Sequence, residues 1–93
     1  MNCIWDENKN QLNIRDHKLS LEVAQHDFDD PLHISRRDRI EGGEERWQTV
    51  GQIAGMYIVL VAHTFPGTED VRIIISARKA SRKERKNYEE GTY

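Results

Sequence analysis

Two β-branched runs near the end of the chain, Met56–Thr64 (MYIVLVAHT) and Val71–Ala77 (VRIIISA), dictate most of what it can fold into. Short, nearly continuous apolar runs of this kind are strands of a sheet covered on both faces. Phe65-Pro66-Gly67-Thr68 turns the chain between them. The longest weakly interrupted apolar stretch, Ile53 to Ala62, is far short of the roughly 20 residues that a membrane-crossing helix needs, so no membrane span is expected. Leu, Ile, Val and Phe number only 21 of 93 residues, a proportion that on its own would leave disorder open. Their concentration in these two strands builds a core and rules disorder out. At 93 residues the chain is one domain, residues 1–93, since two would each be too small to bury a core.

Upstream, the period changes. Asp6 stands as an N-cap before a helix-compatible run, Glu7 to His17, whose apolar face is thin, with Leu12 and little else. Ser20 caps a second helix with Leu21, Ala24 and Phe28 on one face, and Asp29-Asp30-Pro31 stops it. Leu32 to Arg36 alternates as a short strand, residues 37–43 are polar and end in the turn signal Gly42-Gly43, and Arg46 to Ile53 reads as a strand closed by Ala54-Gly55. Ser81 with Glu84 three residues on is a capping-box pattern opening a helix to about Glu90, ended by Gly91. On that helix Ala77, Ala80, Glu84 and Tyr88 share the packing side, which leaves Arg82, Lys83, Arg85 and Lys86 outward. The expected fold is α+β: two N-terminal helices, a four-stranded, mostly antiparallel sheet and a C-terminal basic helix, in the order α-α-β-β-β-β-α. Residues 2–5 leave room for an added small strand. The short connections at 54–55 and 65–68 favour hairpins over crossovers.

A single cysteine, Cys3, cannot form an internal disulfide, and the opening MNCIWDENKN lacks the basic start and apolar run of a signal peptide. A reducing cytoplasm is the expected compartment. The net charge of -2 conceals an asymmetry: residues 72–86 hold seven Lys/Arg and one acid, whereas the rest is strongly acidic. A basic end suits a phosphate-bearing ligand, and a solvated terminal helix explains it equally well. His17, His26, His33 and His63 have no metal-ligand spacing, and neither a phosphate loop nor a nucleophile elbow is present, so no metal or cofactor is expected. Strict alternation in the last strand places Arg72 and Arg78 on one sheet face, flanking a phosphate or paired with carboxylates at the margin. His63 closes the most apolar strand, where a lone histidine is more often structural, and Glu44-Glu45-Arg46 opens its strand as simple surface charge or as part of a site.

Taken in order, a set of blocks resembles the BrnT-type toxins of bacterial type II toxin–antitoxin systems, small ribonucleases with a RelE-like fold. The blocks are Trp5-Asp6-Glu7-x-Lys9, Asn13-x-x-x-His17, Phe28-x-Asp30-Pro31, Glu45-Arg46 with Gly51, and Ile74-Ile75-Ser76-Ala77-Arg78-x-Ala80 with Glu84-Arg85-x-x-Tyr88-Glu89. They span residues 4–90, and the last is the most specific. Asp16 stands where the family usually has Lys, Lys18 replaces a Gly, Leu21 replaces a Phe, and Phe65-Pro66 follows Thr64 where members often carry an Arg. Two cations are thereby lost from the expected RNA surface.

The resemblance implies a toxin that cleaves RNA without a metal and halts translation. Attack by a 2′-OH on its neighbouring phosphate needs a base, a cation for the phosphorane oxygens and an acid for the leaving oxygen. Glu45 or His63 are the candidate bases, and Arg46, Arg72 and Arg78 the candidate stabilising cations, with a histidine or a cation as acid. Lys9, Arg82, Lys83, Arg85 and Lys86 are candidate RNA-binding groups. The implied partner is a ribbon-helix-helix antitoxin (BrnA-like) that itself holds promoter DNA, an acidic segment of it covering residues 72–86. Two other readings stand beside this one: a non-catalytic nucleic-acid- or protein-binding module, and a RelE-like toxin acting on gyrase.

Overall fold

In the computed structural model, which describes residues 2–65 and 71–92, the elements follow as β1 (Asn2–Ile4), α1 (Glu7–His17), α2 (Leu21–Ala24), a 3-10 helix (Gln25–Asp29), β2 (Ile34–Glu41), β3 (Glu44–Ile53), β4 (Tyr57–Thr64), β5 (Val71–Lys79) and α3 (Arg82–Glu90). The sheet order is β1-β5-β4-β3-β2, with β1 parallel to β5 and the other neighbours antiparallel. The expectation of a four-stranded, mostly antiparallel sheet in the order α-α-β-β-β-β-α is therefore corrected. The sheet is five-stranded and mixed, and the order is β-α-α-β-β-β-β-α. The small strand for which residues 2–5 left room is present, and it pairs in parallel with residues 69 positions away, a partnership that no local alternation or turn announces.

Local chemistry accounts for the joints. Gly42 and Gly43 both have positive φ, 59° and 79°, as a two-residue hairpin turn between twisted strands requires, and β2 runs on through the polar stretch to meet it. The Ser20-capped segment stays α-helical for one turn and then tightens into the 3-10 helix. The Ser81 capping box forms as read, and Gly91 ends α3 in the left-handed region. The turn expected at Phe65-Pro66-Gly67-Thr68 lies, past Phe65, outside the described residues.

One sheet face buries Val59, Val61, Ile74 and Ala77 against Leu21, Ala24 and Phe28, with Trp5 and Leu19 packed alongside. The other buries Val50 and Ile58 under Ala80 and Tyr88 of the α3 segment. Ala77 thus belongs to the first face and not to the packing side of α3. Helix α1 adheres differently. Leu12 and Ile14 are exposed, and its buried residues are Asn10 and Asn13. Asn10 accepts a hydrogen bond from the Leu21 amide (2.8 Å), while Asn13 accepts one from the Ala77 amide (3.0 Å) and donates one to the Leu19 carbonyl (2.7 Å). Where β1 no longer pairs with β5, an asparagine closes the open strand edge that would otherwise be a liability.

Candidate active surface

Arg72 and Arg78 do not share a face. Ala62 pairs with Ser76 and His63 with Ile74, so Ile75 is an extra residue opposite no partner. Such a bulge reverses the side-chain parity of the strand beyond it. Arg72 lies on the face of the 3-10 helix, its guanidinium carbon 4.5 Å from the Phe28 ring centroid and 4.9 Å from that of Phe65. Arg78 lies on the α3 face and donates two hydrogen bonds to Glu84, of 2.8 and 2.9 Å. The expectation of two arginines flanking one phosphate is corrected by that one residue.

Around Arg72 the first face gathers aromatic and polar groups. Trp47 pairs across the strands with His63 on one side and Arg37 on the other, so all three point the same way. Trp47 meets Phe65 edge-on at 5.5 Å, and Phe65 meets His63 edge-on at 5.2 Å. Phe65 is 42% exposed, so this ring stack opens to solvent. Glu45, two residues before Trp47 on the same side of β3, lies exposed at the rim, 3.4 Å from Arg37. His63 is 0% exposed; its Nε2 bonds to Thr49 Oγ1 at 2.7 Å, which in turn is 2.6 Å from Ser35 Oγ. Burial, helped by the Arg72 and His33 charges, pushes His63 down to about 4, so its ring is neutral at physiological pH.

The remaining sequence candidates lie elsewhere. Arg46, alternating with Trp47, belongs to the opposite face, 3.7 Å from both Glu41 and Glu44. Arg82, Lys83, Arg85 and Lys86 are exposed on α3, whose packing is on that opposite face. Lys9 is exposed on α1, beside a shallow depression that also touches Ile75 and Ser76. The structure thus places Glu45, His63 and Arg72 on one sheet face, and Arg46 and Arg78 on the other. Sequence reasoning missed Arg37, Trp47 and Phe65; a tryptophan and a phenylalanine at the polar ends of facing strands were the available signal. Among the described residues no three or more His, Cys, Asp or Glu side chains are placed to hold a metal ion.

Several motif residues seal the scaffold. Beyond the pair Ile34–Val50, β3 has no β2 neighbour. There Asp30 accepts hydrogen bonds from the Gln52 amide (2.8 Å), the Leu32 amide (2.9 Å) and the Tyr88 hydroxyl (2.5 Å), which ties α3 to the opposite layer. Against burial, these bonds draw the Asp30 carboxyl down, and burial together with the bond to Asp30 raises Tyr88 to about 12. Gly51 lets the 3-10 helix close on β3: a Cβ there would stand 2.8 Å from the Asp27 carbonyl oxygen. Burial, with the Asp30 charge beside it, pushes the Asp27 carboxyl up to about 8, partly offset by the Gly51 amide.

A family model described as "Ribonuclease toxin, BrnT, of type II toxin-antitoxin system" matches residues 5–84. The chain is similar to the crystal structure of the Brucella abortus ribonuclease toxin BrnT, with a TM-score of 0.63 and 26% identity over 88% of this chain and 99% of that one. Among curated proteins no sequence matches.

Proposed function

This chain belongs to the BrnT family of ribonuclease toxins of type II toxin–antitoxin systems, and from that premise we propose that it cleaves RNA without a metal through the surface built around Arg72. The observation that carries the reading is the gathering, on one face and at one end of the sheet, of a rim carboxylate (Glu45), a guanidinium held between two rings (Arg72) and an open aromatic pair (Trp47 and Phe65). Glu45 takes the proton of a 2′-OH, whose oxygen attacks the adjacent phosphorus. Arg72 stabilises the charge that develops on the phosphorane oxygens, and the 5′-oxygen departs by taking a proton from solvent water, which reaches this open surface. The products are a 2′,3′-cyclic phosphate and a 5′-hydroxyl.

Trp47 and Phe65 hold unstacked bases, the usual way in which single-stranded RNA is gripped. His63, fully buried and neutral, positions the rings of Phe28 and Phe65 from beneath and does not itself exchange protons with RNA. Arg46 and Arg78 serve the scaffold, and Lys9, Arg82, Lys83, Arg85 and Lys86 attract RNA at long range without setting its geometry. In the cytoplasm this activity halts translation until a ribbon-helix-helix antitoxin, itself bound to promoter DNA, neutralises the toxin.

The test is a digest of RNA by the purified protein in EDTA, with the new ends identified chemically. Cyclic-phosphate and 5′-hydroxyl ends are expected. Growth arrest in cells with RNA left intact would overturn the reading in favour of gyrase as target, and absence of arrest would favour a binding module.

A further inference from the structure

At the end of the sheet remote from Trp47 and Arg72, the C-terminus of α1, helix α2 and strands β3 to β5 enclose a groove of about 380 Å³. Its floor is apolar, with Val23, Tyr57 and Val59, and its edge carries His17, Lys18 and Lys79 and, among the described residues, no carboxylate. Val23 and Tyr57 are 45% and 48% exposed, although exposed apolar side chains gathered in one concavity are what a partner surface looks like. The Lys79 ammonium stands 5.4 Å from the Tyr57 ring centroid, which keeps its charge at the groove.

Lys18 adds an independent observation. It ends α1 with φ 58° and ψ 31°, the left-handed conformation that glycine adopts without strain. Where a glycine would be unstrained, the chain places a cation on the edge of the open groove, beside Lys79.

We propose that this groove seats an acidic, amphipathic segment of the antitoxin. Apolar side chains of the segment lie on Val23, Tyr57 and Val59, and its carboxylates meet Lys18 and Lys79. The proposal rests on the partner reading above and goes beyond it by choosing the surface. Because the groove is at the opposite end of the sheet from Arg72, the segment anchors the antitoxin and does not plug the RNA surface. Charge complementarity at such an edge sets partner choice more than it sets the fold. RNA phosphates would meet the same cations, but the apolar floor has no use for them.

The experiment measures the affinity of the full-length protein for the antitoxin encoded with it, alongside melting temperature and RNA cleavage in the absence of antitoxin. Lys18→Gly removes the charge and relieves the backbone, so it should melt higher than the wild type while binding the antitoxin about tenfold more weakly. Adding Lys79→Glu should weaken binding by about a further tenfold or more, with free-toxin cleavage unchanged in both variants. A higher melting temperature with unchanged affinity in both variants would overturn the proposal and leave Lys18 as a helix end. Loss of cleavage by the free variants would also overturn it, by assigning the groove to RNA. A wild-type protein that does not bind the antitoxin at all would overturn the partner reading, and this proposal with it.

Discussion

Arg72 and Arg78 stand six residues apart on one strand and occupy opposite kinds of surroundings. Arg78 is gripped by a carboxylate: Glu84 takes two of its hydrogen bonds, closes the capping box of α3 through the Ser81 amide at 2.8 Å, and is held down at about 2 chiefly by Arg78 itself. Arg72 is gripped by rings, Phe28 and Phe65. An ion pair of short bidentate geometry neutralises its arginine and orders the chain around it. Stacking on aromatic faces fixes the plane of a guanidinium, and the Arg72 charge adds to burial in lowering His63. Charge alone therefore says little about which cation does chemistry. What the cation rests on says more.

If that comparison holds, the two neighbourhoods should fail separately. The largest expected effect is on the Arg72 side. Gly51→Ala places a methyl group 2.8 Å from the Asp27 carbonyl oxygen, so the 3-10 helix must lift and Phe28 with it. Overpacking of this kind destabilises by about 1–3 kcal/mol. Denaturant unfolding should show a loss near the top of that range, and cleavage should fall further than the unfolded fraction explains. Glu84→Gln attacks the other side. Removing a charged, largely buried hydrogen-bond partner costs about 1.5–3 kcal/mol, and the loss should appear in α3, as faster amide exchange there, with cleavage per folded molecule retained.

The pH dependence of stability separates them further, with opposite signs. Glu84 sits near 2 in the folded protein, below its ordinary 4.5, so the stability it contributes is complete above about pH 4.5 and is lost as pH falls toward 2. Asp27 is raised from 3.8 to about 8. Between those values the native state keeps a proton that the unfolded chain has released, so this contribution declines as pH rises and levels off above 8. His63, lowered from 6.5 to about 4, works against Asp27 below pH 6.5, because there the unfolded chain takes up a proton that the native state refuses. Between pH 6.5 and 8 Asp27 acts without that opposition. Chemical denaturation over this range should show falling stability in the wild type, and Asp27→Asn should flatten it. The smallest effect is at the β3–β4 turn, where Ala54 has φ 55°. Ala54→Gly relieves that strain and should stabilise by about 0.5–1 kcal/mol, with no effect on cleavage.

What was legible in the sequence follows from what is local. The two rich strands, the Gly42-Gly43 turn and the Ser81 capping box each depend on residues a few positions apart, and each is where it was read. The parallel strand β1 pairs with a segment near the other end of the chain, and three residues carry no period. The bulge at Ile75 was hidden for a sharper reason: in Ile73-Ile74-Ile75 every residue is apolar, so no alternation exists to reveal a slip of one. Its consequence reached the site, since the predicted partnership of Arg72 and Arg78 depended on parity alone. The face of α1 was unreadable because its anchors are Asn10 and Asn13, residues that look solvated by type. Trp47 and Phe65 come together only through the register of β3 against β4.

On the reading proposed above, the chemistry belongs to the Arg72 face and Arg78 belongs to the scaffold. Single-turnover RNA cleavage by Arg72→Lys and Arg78→Lys, measured in EDTA and normalised to the folded fraction, tests it directly. A lysine cannot reproduce the planar, stacked guanidinium, so Arg72→Lys should lose about 10²–10³-fold, the typical worth of one transition-state charge donor, with its melting temperature near that of the wild type. Arg78→Lys should melt lower and keep wild-type cleavage per folded molecule. The opposite pattern, cleavage lost in Arg78→Lys and kept in Arg72→Lys, would place the chemistry at Arg78 and refute this assignment.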